Sequence, residues 1–93
     1  MPLTKKMQVR IAKEVGTAIA KSYYEMFCNP ENRGPKFTWR EFPNMCRRGG
    51  EIHVMIALPH GIKAQGEIEH IAGETAYNEA VRLMENENDQ TGT

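Results

Sequence analysis

Ninety-three residues carry twelve basic and twelve acidic side chains, so the chain has no net charge, and its two cysteines are too few for a disulfide framework. A chain of this length makes one domain with a modest core, which leaves little room for a deep enclosed active site. Its 40% hydrophobic and 26% charged residues are ordinary for a globular protein, and no apolar run approaches the ~20 residues that cross a bilayer.

Met1 to Lys6 lead into no apolar stretch of the signal-peptide kind, so the expected compartment is a cytosol. Cys28 and Cys46 are accordingly expected to be buried, reduced thiols. The charge is unevenly spread. Residues 1–50 hold ten basic side chains against four acids, and residues 51–93 hold two against eight. Such a division implies a side facing a polyanion and an acidic side or tail, unless the two halves pack so that their charges interleave.

Residues 4–28 predict one amphipathic helix. Met7, Ile11, Val15, Ala18, Ile19, Ser22 and Met26 recur at three- and four-residue spacing, Thr4 can cap the start, and Asn29-Pro30 stops it. Residues 29–36 hold two prolines and a glycine and predict a loop. Thr38 and Glu41 then have capping-box spacing, and Phe37 and Phe42 sit at the positions of a hydrophobic staple. A short helix from about Trp39 to Arg47 follows, weakened by Pro43 and ended by Gly49-Gly50. A strand over residues 36–42 is the rival, because Phe37 and Trp39 alternate; the capping signals favour the helix.

Ile52, Val54, Ile56 and Leu58 alternate with Glu51, His53, Met55 and Ala57, which predicts a strand over 51–58. Pro59-His60-Gly61 reads as a turn, and residues 62–69 as a returning strand with Gly66 a bulge. A second long helix spans about Glu74 to Glu87, with Ala76, Tyr77, Ala80, Leu83 and Met84 as its apolar stripe. Residues 86–93 are polar, without pattern, and expected to fray. The order predicts a single α+β domain over 1–93: a small antiparallel β-sheet packed against an N-terminal and a C-terminal α-helix.

The candidate metal ligands Cys28, Cys46, His53, His60 and His70 show none of the paired spacings that let one element present two ligands. No nucleophile stands in a catalytic context, although Arg47 and Arg48 beside Cys46 would favour a thiolate. Gly49-Gly50 precedes a predicted strand, so no helix N-terminus is offered to a phosphate. Gln8, Ala12 and Gly16 match the opening of a helix-turn-helix. Ser22 and Glu25, however, stand where its second helix needs apolar residues. No catalytic residue, metal ligand or cofactor is therefore expected.

The basic residues are the strongest signal. Lys6, Arg10, Lys13, Thr17, Lys21 and Tyr24 fall on one stripe of the first helix, opposite Ile11, Val15 and Met26. A second cluster, Arg33, Lys36, Arg40, Arg47 and Arg48, is interleaved with Phe37, Trp39 and Phe42. Arginine among aromatics is the composition of phosphate and base contacts and of protein hot spots. The blander alternative is a solvated helix face and an aromatic core. The expected binding residues are Arg33, Lys36, Arg40, Arg47, Arg48 and Trp39, together with Lys6, Arg10 and Lys13.

In size and general character the chain resembles the small proteins with which bacteriophages block host defences, such as anti-CRISPR inhibitors. That resemblance rests on no motif and assigns no residue. It implies a stoichiometric inhibitor in the host cytoplasm, docking on a protein or nucleoprotein complex, with possible contact to an RNA or DNA backbone. Most such inhibitors are acidic mimics of DNA, and the basic half departs from that pattern. The alternative expectation is a direct DNA- or RNA-binding protein; no membrane partner is expected.

Overall fold

The computed structural model describes residues 3–58 and 65–91, with side chains as far as Asn86. Three helices carry the fold: α1 (Lys5–Cys28), α2 (Phe42–Ala57) and α3 (Gln65–Thr91), with a 3-10 turn at Pro30–Asn32. There is no strand among the described residues. The α+β expectation is therefore wrong, and the architecture is a three-helix bundle.

The first helix forms where its punctuation places it. The Thr4 hydroxyl accepts from the Met7 amide at 3.2 Å, satisfying one of the unpaired donors of the first turn. At the other end the Asn29 amide donates to the Met26 carbonyl, and the Asn29 side chain accepts from Glu31 to open the 3-10 turn. The helix passes straight through Gly16, so no helix-turn-helix forms.

The second helix overturns two expectations. Pro43 lies in its first turn, where a proline costs nothing because the amide it lacks has no partner there. Gly49-Gly50 does not end the helix: both glycines are buried inside it, and the 51–57 segment read as a strand continues it. Phe42, Cys46, Gly50, Val54 and Leu58 are all buried, and each stands four residues after the last. Ile52 and Ile56, which a strand would turn to the same side as Val54, are 61% and 77% exposed. The β-branched residues here cost a helix only a few tenths of a kcal/mol each, less than burial of Val54 and Leu58 returns.

The third helix begins at Gln65, so residues 65–69 of the supposed returning strand are helical, and the helix continues to Thr91. The Pro59-His60-Gly61 turn and residues 62–64 of that strand lie outside the described residues, as do Gly92 and Thr93 of the polar tail.

All three helices pack on one another. Lys5 pairs with Glu67 at 3.0 Å, and Gly16 meets Ala72 and Ala76, so α1 and α3 run the same way. Phe42 meets Phe27 and Gly49 meets Tyr23 of α1, while Arg47 meets Tyr77 and Gly50 meets Ala72 of α3, so α2 runs against both. The interior is unusually small in side-chain volume. Ala12, Gly16 and Ala20 of α1 and Ile68, Ala72, Ala76 and Ala80 of α3 are buried, again at four-residue spacing. Such rows of small residues let ridges of one helix sit deep in the grooves of the next. Ile11, Val15 and Ile19, the expected core of α1, are half-buried, because the buried arc centres on Ala12, Gly16, Ala20 and Phe27, roughly a quarter of a turn away. Lys6, Arg10 and Lys13 are exposed as expected.

Candidate functional site

Two core clusters divide the bundle along its length. One end, around Val54, Leu58 and Ile68, is aliphatic. The other is aromatic and is closed by the 29–41 segment, which brings Phe37 and Trp39 back onto Phe27 of α1 and Phe42 of α2. Phe27 and Phe37 stack at 4.6 Å between centroids, and Trp39 meets Phe37 at 5.0 Å, Phe42 at 5.2 Å and Tyr24 at 5.8 Å. Trp39 is thus half-buried and part of the packing of this end. Thr38 helps to turn the segment into α2: its hydroxyl accepts from the Glu41 amide at 3.3 Å.

The five cations of this region are not equivalent. Arg33 is half-buried; its Nε donates to the Phe27 carbonyl at 2.7 Å, and its guanidinium lies 5.2 Å from the Trp39 ring and 5.7 Å from Phe37. Its hydrogen bond terminates α1 and its plane covers aromatic surface, as stacked guanidinium groups do. Arg47 lies 4.6 Å over Tyr77 of α3. It borders a polar cleft of about 490 Å³ shared with Glu51, His70, Glu74 and Asn78. Lys36, Arg40 and Arg48 are exposed and have no ion pair or hydrogen bond among the described residues.

Lys36 and Arg48 share the rim of a groove of about 640 Å³. Phe27, Phe37 and Met45 give it an apolar floor, and Asn32, Gly34, Pro35 and Glu41 complete its wall. The groove is not legible in the sequence because its floor is gathered from α1, the 29–41 segment and α2, which only tertiary packing brings together.

On α1 the stripe is partly engaged. Arg10 pairs with Glu14 at 3.3 Å, whereas Lys6 and Lys13 have no partner among the described residues. The two halves of the charge distribution do interleave where α1 meets α3. Lys5 pairs with Glu67, and Lys21 lies near Glu79. The Glu79 carboxyl is held below its ordinary range, first by the hydrogen bonds Arg82 donates to it at 2.7 and 2.6 Å and then by the charges of Arg82 and Lys21.

The cysteines separate. Cys28 is exposed and Cys46 is buried, and both are free thiols. Burial pushes the Cys46 thiol up to about 12, the reverse of the activation its neighbours Arg47 and Arg48 suggested. Among the described residues no three His, Cys, Asp or Glu side chains gather as a metal site, and no helix is long and apolar enough to cross a membrane. His60 lies outside the described residues.

No protein-family model, curated protein or solved structure matches the chain.

Proposed function

We propose that the chain is a non-enzymatic binding protein, a stoichiometric inhibitor of the anti-CRISPR kind acting in the cytoplasm. It docks on a protein or nucleoprotein complex through its basic, aromatic-capped end. The observation that carries this reading is the placement of Lys36, Arg40 and Arg48. They are exposed and unpaired among the described residues, Lys36 and Arg40 on a segment whose Phe37 and Trp39 pack against the core and Arg48 on α2, across the groove from Lys36. The packing beneath them already fixes the backbone, so binding has to order only the side chains, which favours a specific interface.

Arg33 and Arg47 are positioning groups in this account, since their guanidinium planes lie over Trp39 and Tyr77. Their stacking reduces the number of cations free to track a phosphate backbone and favours a protein surface. Direct DNA or RNA binding is the second reading. It is favoured by Lys6 and Lys13, which lie exposed and without partners among the described residues along α1.

A salt titration of the captured complex tests the choice. Each neutralised phosphate of duplex DNA contributes about −0.9 to the slope of log affinity against log salt. Three cations give a slope no steeper than about −3 on that scale. A shallow slope and a complex that survives nuclease support docking on protein. A steeper slope with loss of the complex after nuclease means that α1 binds nucleic acid directly.

A further inference from the structure

We infer that the groove between the 29–41 segment and α2 receives a single apolar side chain from an acidic segment of a partner protein. This rests on the docking reading above and adds what the docked segment must look like.

The groove joins two features on one small surface. Its floor of Phe27, Phe37 and Met45 is apolar, and its open volume of about 640 Å³ has room for an apolar side chain together with the chain on either side of it. Its rim carries Lys36 and Arg48, with Glu41 the one acid among the residues that line it. Filling the floor removes apolar surface from water, so the occupant's central group must be apolar. The rim sets the sign of its flanks: carboxylates on either side of the anchor meet a lysine and an arginine, and the Arg48 guanidinium can take one of them in a two-point fork.

A nucleobase fits less well. Base stacking needs an open ring face. Phe37 already stacks on Phe27 at 4.6 Å and carries the Arg33 guanidinium at 5.7 Å. A phosphate could meet the rim but gains nothing from the floor. The neighbouring polar cleft around Arg47 has no such floor, and the lysines of α1 lie on an open helix face.

The probe is a short labelled peptide with one leucine between aspartates, followed by fluorescence anisotropy on the full chain. Two twins accompany it, one with alanine for the leucine and one with lysines for the aspartates. We expect saturable binding of the acidic leucine peptide, weakened more than about tenfold by the alanine twin and lost in the lysine twin. A Lys36→Glu, Arg48→Glu variant should lose binding and keep the parent's circular dichroism, and a Lys6→Glu, Lys13→Glu variant should bind as the parent does. If the alanine twin binds as tightly as the leucine peptide, the groove is not used and the idea fails. It fails also if a single-stranded oligonucleotide binds in a Lys36- and Arg48-dependent way and the peptide does not. Should the peptide fail to bind while the Lys36→Glu, Arg48→Glu variant still loses the captured complex, the groove inference falls and the docking reading stands.

Discussion

The α-carbon of Gly16 faces the carbonyl of Ala72, so closely that a methyl group added at Gly16 would stand 2.5 Å from that oxygen. Gly50 approaches the same carbonyl from α2, at 2.7 Å for the added methyl. One peptide group of α3 is therefore clasped between glycines of both other helices. Each glycine costs its helix about 1 kcal/mol relative to alanine, and close packing offsets that cost.

The sign of a substitution follows. Gly16→Ala and Gly50→Ala gain helix propensity but overpack against backbone that cannot move aside, which costs about 1–3 kcal/mol or more. Both variants should melt below the parent. Gly66→Ala, where an added methyl meets nothing within 4 Å among the described residues, should be neutral or stabilising by up to about 1 kcal/mol. Thermal melts of the three variants check this; a stabilised Gly16→Ala would mean that α1 and α3 do not approach as described.

The helical course of residues 51–57 predicts a different pair of outcomes. Val54→Ala removes fully buried methyl groups and should cost more than about 1 kcal/mol. Ile56→Ala, at a site 77% exposed, should fall within about 0.5 kcal/mol of the parent. Urea unfolding of both distinguishes the helix from a strand, in which the two side chains would share one face and one fate.

These two cases show where the sequence was legible. Thr4 and Asn29-Pro30 mark α1 correctly because caps and proline act locally, through groups within one turn. The buried rows were less visible. Ala76 and Ala80 belong to the expected stripe of the last helix and are buried, whereas Ala12, Gly16, Ala20 and Ala72 escape a hydrophobicity reading that looks for large side chains and gives Ile11, Val15 and Ile19 instead. In α2 the alternation of Ile52, Val54, Ile56 and Leu58 coexists with the four-residue row Phe42, Cys46, Gly50, Val54 and Leu58. Taking Gly49-Gly50 as a stop concealed the second pattern. The groove is hidden for another reason, because Phe27, Phe37 and Met45 come from three segments that only packing brings together, while Lys36 and Arg40 are legible as exposed cations from their charge and the loop signals around them.

The cysteines give a chemical test. A thiol reagent should modify Cys28 rapidly in the native protein and Cys46 only at the rate of unfolding. Because the folded state raises the Cys46 thiol from 9.0 to about 12, the unfolded chain loses that proton first. The contribution is therefore fully present below pH 9 and is lost as pH rises towards 12. Stability of Cys46→Ala, compared with the parent over that interval, should fall less steeply. Equal reactivity of the two thiols would contradict the buried position of Cys46.

Arg33 and Arg40 should behave oppositely on substitution. Arg33→Ala removes the hydrogen bond to the Phe27 carbonyl and the guanidinium over Trp39, and should cost about 1–3 kcal/mol of stability. Arg40→Ala, at an exposed residue without a partner among the described residues, should leave stability within about 0.5 kcal/mol. Chemical denaturation of the two single variants reads the difference.

The most direct measurement compares partner binding by a Lys36→Glu, Arg40→Glu, Arg48→Glu variant with binding by a Lys6→Glu, Lys13→Glu variant and by a Glu85→Lys variant. Each is immobilised at equal density and first shown to melt as the parent does. The account predicts that the first loses affinity by more than about tenfold, about 1.4 kcal/mol, while the other two bind as the parent. A first variant that binds at parental affinity, with loss confined to the α1 or Glu85 variants, would contradict it.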